Sequence, residues 1–185
     1  AFDGSNGRSG CCKGGSYMSN PHASPFVATD GGGSCSKCNG LINLGNNSDV
    51  ACPDIHDMVR DWLKDETKTI VKYGHIKDWN TSLVTDMSQL FCGSSACGEK
   101  NKGILVQSFN SDLSKWNVAA ITTMHATFYG ASVFNSDLSK WNVAAVTNIQ
   151  STFYQASAFN GDLSKWNVAA VTTMKYTFHT ASVFN

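Results

Sequence analysis

A 25-residue unit recurs along the second half of this 185-residue chain, and it limits the available folds more than any other feature. Regular units begin at Phe109, Phe134 and Phe159, and another opens at Phe184. The first two regular units are identical at 18 of 25 positions. A period between about 20 and 29 residues is typical of solenoids, in which each coil stacks on the next. The repeat therefore predicts a stack of 25-residue coils.

Each unit contains two patterns that predict local structure. The first half suits a short strand and its turn, through Leu113, Trp116 and Val118. The second half has apolar residues at helical spacing and predicts one helical stretch, through Ile121, Met124, Phe128 and Ala131. Together they predict an α/β repeat solenoid of the leucine-rich type.

Stacking of such units would bring equivalent residues of successive units into contact and form columns along the array. Two aromatic columns are expected, one of Trp79, Trp116, Trp141 and Trp166 and one of Phe128, Phe153 and Phe178. The amides of Asn110, Asn135 and Asn160 would satisfy backbone groups at a tight corner of each coil. These columns are the predicted core and edge of the stack.

The chain before the regular repeats divides into three parts. Residues 1–52 are rich in Gly, Ser and Cys and predict an irregular arm held by disulfides. Region 53–73 predicts a capping helix over 54–65, and a further turn or helix from Thr67 that Gly74 ends. The helix is predicted from apolar residues that share one face, Ile55, Met58, Val59, Trp62 and Leu63. Residues 74–108 are a divergent first repeat with an insertion, and 109–185 are the regular repeats.

The cysteines all precede the regular repeats and predict an oxidising compartment. We expect disulfide bonds from Cys11, Cys12, Cys35, Cys38, Cys52, Cys92 and Cys97. Cys92 and Cys97 are close enough to bridge the insertion, and the odd total leaves one thiol free or bonded to another chain. Two sequons make Asn46 and Asn80 candidate glycosylation sites. The expected location is secreted or at the extracellular surface.

Composition and charge argue against several classes of protein. Fourteen basic and fourteen acidic residues balance, and no Lys/Arg run is present, so nucleic acid is not an expected partner. No apolar run of about 18 residues predicts membrane insertion. The N-terminus has neither an initiator Met nor a signal-peptide pattern, so the chain reads as a mature form or a fragment.

Three polar patterns allow a functional reading beside a structural one. The spacing Cys35-Ser-Lys-Cys38 is favoured as disulfide partners, with half a metal site or a redox dithiol as alternatives. No cofactor is expected; a column of Asp112, Asp137 and Asp162 is favoured as a solvated charge ladder, with calcium binding as the alternative. The hydroxyls of Thr122, Thr147, Thr172, Thr123 and Thr173 are favoured as helix caps, with ice or polysaccharide binding as the alternative.

No side chain has a basic partner at a spacing that would activate it, and most polar residues recur in every unit. We therefore expect no catalytic residues, no metal site and no enzyme activity. Positions that differ between units, together with a recurring aromatic or His position, are expected to face outward on the helix side. These candidate partner-binding residues are His125, Tyr129, Gln150, Tyr154, Lys175 and His179.

The unit resembles the repeats of BspA-like leucine-rich-repeat surface proteins and of mycoplasma surface lipoproteins. The resemblance rests on the Phe-Asn-x-Asp-Leu-Ser-x-Trp-Asn pattern followed by Val-Thr-x-Met and Phe, and it extends over residues 54–185. The run from Tyr73 to Phe91 is similar to the start of such arrays in microbial eukaryotes, including algae. The resemblance implies surface exposure with adhesion or partner binding, and it transfers no catalytic residues.

The expected function is that of an extracellular structural or interaction protein. An uncapped end of a solenoid exposes apolar surface and unpaired strand edges, so we expect either that more repeats follow in the natural protein or that a neighbouring copy covers the end. Head-to-tail contacts that do not close would build a fibril or surface appendage. The alternative is a monomeric adhesin, or a module that binds glycans or proteins through the helix face of the repeats.

Overall fold

Two α-helices precede the repeats in the computed structural model, which describes residues 54–93, 97 and 106–185. Helix α1 spans Ile55–Lys64 and helix α2 spans Glu66–Tyr73. Asp54 caps α1, because its carboxylate accepts the N–H of His56 at 2.8 Å. The buried residues of α1 come from the predicted apolar face: Ile55, Met58, Val59 and Trp62.

Helix α2 continues directly from α1 and carries the chain into the first unit. Asp65 separates the two helices, and its side chain accepts the N–H of Lys68 at 3.0 Å. Gly74 ends α2 with a φ of 78°, a left-handed conformation that glycine adopts without a steric penalty. Trp62 of α1 then meets Trp79 edge to face at 5.9 Å between ring centroids. The helices therefore pack against the first unit of the repeats.

Successive units lie side by side and are joined by parallel backbone pairing. Isolated parallel bridges link Asp86 to Thr123, Thr123 to Asn148, and Asn148 to Thr173. Between the first two regular units, alternate N–H groups donate to carbonyls of the next unit at 2.8 to 2.9 Å. The donors are Met124, Ala126, Phe128 and Gly130, and the acceptors are Asn148, Gln150, Thr152 and Tyr154. Each unit thus depends on its neighbour for backbone hydrogen bonds.

The helical stretch predicted from Ile121 to Ala131 is wrong, because the described residues form turns there. Ala126 has a φ of 53° and Gly130 a φ of 72°, values that an α-helix does not contain. Alternate N–H groups bond to the next unit, and the N–H groups between them close short turns within their own unit. The N–H of Thr127, for example, donates to the carbonyl of Met124 at 3.2 Å.

The strand predicted through Leu113, Trp116 and Val118 is also absent. The bridges fall instead in the second half of each unit, the half predicted to be helical. Apolar spacings of three and four residues are compatible with consecutive turns as well as with a helix, so the pattern alone did not separate the two. Two short 3-10 helices, Ile76–Asp78 and Val106–Ser108, are also among the described residues.

Columns of aromatic rings form the core. One column stacks in nearly parallel planes at 5.4 to 5.5 Å: Phe91, Phe128, Phe153 and Phe178. A second column stacks at 5.8 to 6.0 Å: Phe109, Phe134, Phe159 and Phe184. The two columns interlock, since Phe128 lies 4.1 Å from Phe134. Among the tryptophans, Trp79 stacks on Trp116 and Trp141 on Trp166.

Side-chain ladders run parallel to the aromatic columns and join neighbouring units. The side-chain oxygen of Asn110 accepts the backbone N–H of Asn135 at 2.8 Å, and the side-chain oxygen of Asn135 accepts the backbone N–H of Asn160 at 2.9 Å. In the interior, the Thr152 hydroxyl donates to the Met124 carbonyl at 2.8 Å. These recurring Asn and Thr side chains therefore hold adjacent units together.

Candidate functional site

The last unit exposes the surface that each earlier unit buries against its successor. Val143 and Ile149 are only 1% and 5% exposed, whereas the matching residues Val168 and Met174 are 43% and 59% exposed. Tyr176, which follows in the same segment, is also exposed. We call the surface of Val168, Met174 and Tyr176, with the backbone beside them, the open face.

The open face also carries backbone donors without acceptors. In the preceding unit, four N–H groups donate to carbonyls of the last unit: Ile149, Ser151, Phe153 and Gln155. Within the described residues, the matching N–H groups of the last unit have no acceptor: Met174, Tyr176, Phe178 and Thr180. A row of unpaired donors is a template for pairing with another chain.

The opposite end of the array is covered by the helices, and it too exposes apolar side chains. Ile70 and Val71 of α2 are both exposed, and Val71 is 75% exposed. In the described residues, the large exposed hydrophobics of helix α2 and the open face are Ile70, Val71, Val168, Met174 and Tyr176. These residues place exposed apolar surface on helix α2 and on the open face. Val133 of a middle unit and Val183 of the last unit occupy the same position of the repeat and are exposed to a similar extent, 44% and 50%.

The structure brings together three of the predicted partner-binding residues. Tyr129 stacks on Tyr154 at 4.5 Å between centroids, and Tyr154 contacts His179 at 4.9 Å. Tyr129 also packs against the disulfide-bonded pair Cys92 and Cys97. Tyr154 is half-buried and has a ring against it from each neighbouring unit, and Tyr176 of the last unit also contacts it at right angles, with 6.5 Å between ring centroids.

The other three candidates, His125, Gln150 and Lys175, are equivalent residues of three successive units, and they lie on turns rather than on a helix. His125 and Gln150 are half-buried, and Lys175 is exposed. The Lys175 ammonium lies 4.9 Å from the centre of the Tyr176 ring, a cation–π contact next to the open face. Positive charge at this position is therefore found only in the last of the three units.

The aspartate column closes turns in the first half of each unit. Asp112 accepts the N–H of Ser114 at 2.8 Å, and this hydrogen bond is the main cause that lowers the pKa of Asp112 below 3.8. Asp137 and Asp162 make the same turn. Lys115 pairs with Asp78 of the preceding unit, with 3.4 Å between Nζ and Oδ1. In the described part of the chain, no three His, Cys, Asp or Glu side chains form a possible metal site.

The threonine column does not cap helices, and that prediction is wrong because no helix follows it. The Thr147 hydroxyl donates to the Thr122 carbonyl at 3.1 Å, and Thr172 donates to Thr147 at 3.2 Å. All three side chains are exposed. Of the adjacent pair Thr123 and Thr173, the Thr123 hydroxyl accepts the N–H of His125 at 3.3 Å and so caps a turn.

The predicted modification sites are only partly described. Cys92 and Cys97 form a disulfide, with their Cα atoms 6.2 Å apart. Asn80 is half-exposed, and its side-chain oxygen accepts the N–H of Ser82 at 3.0 Å. The remaining candidates lie outside the described residues: Cys11, Cys12, Cys35, Cys38, Cys52 and Asn46.

Comparisons with known proteins identify a family for most of the chain. The family model described as "Mycoplasma protein of unknown function, DUF285" matches residues 57–185. No curated protein and no solved structure matches the chain. Among the described residues, none of the helices has both the length and the apolar character needed to cross a membrane.

Proposed function

We propose that this chain, which belongs to the family described as Mycoplasma protein of unknown function, DUF285, is a structural or interaction protein of the cell exterior. In this proposal the units form a leucine-rich-type solenoid related to the BspA-like surface proteins, and copies associate head to tail into a fibril or surface appendage. The open face is the observation that carries the proposal, and a further unit of the same chain or the end of a second copy would bury it. It has the same chemistry as the buried contacts between units.

The energetics favour coverage of the open face. Val168 and Met174 are about half exposed, whereas their equivalents one unit earlier are buried. Full burial of an aliphatic side chain of this size contributes roughly 1.5–3 kcal/mol, so covering both exposed parts would contribute a few kcal/mol. Acceptors for the unpaired N–H row would add to this gain. The open face is therefore suited to a partner that buries it.

Two features favour head-to-tail contact over contact between two open faces. First, two open faces would place the unpaired N–H rows of both copies opposite each other, and donors do not bond to donors. Second, the helix end has its own exposed apolar residues, Ile70 and Val71. A contact between unlike ends is heterologous, and it builds a filament when the rotation between copies does not close.

The cysteines support an exterior location. Disulfides persist in oxidising compartments, and Cys92 and Cys97 are bonded to each other. The sequons at Asn46 and Asn80 agree with the same location. The proposal assigns no catalytic step to the chain, since the recurring Asn, Asp and Thr side chains serve as hydrogen-bond ladders and turn caps.

The test uses two charge substitutions at opposite ends and a matched control in the middle. Val168→Glu alters the open face, Val71→Glu alters the helix end, and Val133→Glu alters a middle valine that is 44% exposed, close to the 43% of Val168. Sedimentation velocity and negative-stain microscopy of the full chain should show filaments for the wild type and for Val133→Glu. Each end variant alone should remain monomeric.

Mixing the two end variants separates the possible modes of association. In the head-to-tail mode each end variant keeps one intact end, so the mixture should form dimers that do not grow. Filaments that persist in Val71→Glu, or dimers that form by contact between open faces, would contradict the head-to-tail mode. Compact wild-type monomers at micromolar concentration would contradict self-association and leave the adhesin alternative.

A further inference from the structure

His56 joins helix α1 to the first unit through both nitrogens of its ring. Nε2 lies 3.0 Å from the carbonyl oxygen of Ser88, a residue of the first unit. Nδ1 lies 3.3 Å from Oδ1 of Asp54, the residue that caps α1. The side chain is only 30% exposed, so water has limited access to replace either contact. His56 therefore connects the start of the helix with the first unit.

The two partners of the ring both need an N–H donor, and a neutral imidazole has only one. A carbonyl oxygen and an ionised carboxylate both accept hydrogen bonds and neither donates one. Neutral histidine has one N–H, so one of its nitrogens would direct a lone pair at an acceptor. The imidazolium has two N–H donors and satisfies Ser88 and Asp54 together. The arrangement is complete only when His56 carries its second proton.

We infer that His56 is a proton-dependent latch that fastens helix α1 to the first unit of the array. The charged groups around the ring agree with this role. Asp54 on the helix side and Asp86 on the first unit both act on it with negative charge. Arg60, one turn further along α1, is engaged with Asp57 by a salt bridge. The charges of both carboxylates favour the imidazolium.

The sign of the pH dependence follows from the balance of these effects. Burial lowers the pKa of His56, but the bonds to Asp54 and Ser88 and the charges of Asp54 and Asp86 outweigh it, so the pKa is raised above 6.5. A raised pKa means that the stabilisation is complete below the unfolded value. This stabilisation is lost as the pH rises through the pKa that His56 has in the folded state. The latch is closed below the unfolded pKa of His56 and opens as the pH rises through its folded pKa.

Opening of the latch would loosen the cover of the first unit. Helix α1 buries Trp62 against Trp79, so its release would expose an aromatic surface at the helix end of the array. The latch does not rest on the proposed head-to-tail contact, because its hydrogen bonds lie within one chain and its test measures the α1 amides rather than the oligomeric state. Its failure in a test would leave the proposed association unaffected, and the reverse also holds.

Hydrogen exchange of the full chain at pH 5.5, 7.0 and 8.5 tests the latch. After correction for the intrinsic exchange rate, the opening constant of the α1 amides should rise severalfold across this range. Each unit of pKa difference between the attached and detached states changes that constant tenfold. His56→Gln, which cannot take up a proton, should remove the rise. His179→Gln, an exposed histidine in the last unit, should preserve it.

An NMR titration of the wild-type imidazole keeps the inference testable if His56→Gln loses its helix. A midpoint for His56 above 6.5 supports the latch, and a midpoint at or below 6.5 overturns it. Retention of the full pH-dependent rise in His56→Gln also overturns it, because another group would then control the opening of α1.

Discussion

Phe153→Ala is the sharpest test of the stacked core. Phe153 is fully buried and has a phenylalanine ring from each neighbouring unit against it, Phe128 at 5.5 Å and Phe178 at 5.4 Å. Phe159 lies at 4.1 Å and Trp166 at 6.2 Å. The substitution would leave a cavity between the rings of the neighbouring units, and the contacts of Phe128 with Phe134 and of Phe178 with Phe184 limit how far those rings can move into it.

The expected loss follows from this enclosure. Truncation of a buried phenylalanine costs about 3–5 kcal/mol, and the cost is greatest where neighbours cannot relax. We therefore expect Phe153→Ala to lower the free energy of unfolding by about 4 kcal/mol. Phe178→Ala is the matched control, because Phe178 belongs to the same column but is only half-buried. It has a unit on one side alone, and we expect a loss of about 2 kcal/mol.

Urea denaturation followed by tryptophan fluorescence measures both variants. Phe153→Ala should shift the midpoint to lower urea concentration by about twice as much as Phe178→Ala, with little change in the slope. Equal shifts would refute the reasoning, since they would mean that a ring on each side of Phe153 adds nothing. Losses below about 1 kcal/mol in Phe153→Ala would show that the column is not the core.

Two further predictions concern the interior hydrogen bonds and the disulfide. Thr152→Val removes a buried hydroxyl that donates to the Met124 carbonyl, and it should lower the free energy of unfolding by about 1 kcal/mol in urea denaturation. The control Thr147→Val removes an exposed hydroxyl and should lower it by less than about 0.5 kcal/mol. Equal losses would count against a stabilising role of the interior threonine hydrogen bonds. Peptide mapping without reduction should recover Cys92 joined to Cys97, and replacing both by Ala should cost about 2 kcal/mol, as expected for so short a loop. A separate partner for either cysteine would contradict the pairing.

The sequence predicted the elements whose signals are local or strictly periodic. Helix α1 follows from apolar residues on one helical face and from Asp54 ahead of them. The column through Phe128 and Phe153 follows from the period, because equivalent residues of stacked units must meet. The column that begins at Phe109 could be read from the sequence, because a phenylalanine starts each unit. Its contact with the Phe128 column could not be read in this way, because it depends on how the backbone turns between the two phenylalanines.

The sequence did not predict the turns in the second half of each unit. Spacings of three and four residues favour a helix when only side-chain burial is considered. The decisive factor is the backbone, since the N–H groups of Met124 and Phe128 bond to the next unit and not within their own. Gly130, with its positive φ, was the available signal against a helix, but the matching Gln155 and Thr180 concealed it.

Positive φ values connect this local conformation to the proposed assembly. Tyr176 has a φ of 60° and Thr180 a φ of 57°, a region that costs a residue with a side chain roughly 1–2 kcal/mol. In the preceding unit, Ser151 and Gln155 bear the same cost with their N–H groups bonded to the last unit. A partner on the open face would supply the acceptors that Tyr176 and Thr180 lack within the described residues. The same contact would therefore bury apolar surface and supply hydrogen-bond acceptors to residues that already bear the cost of a positive φ.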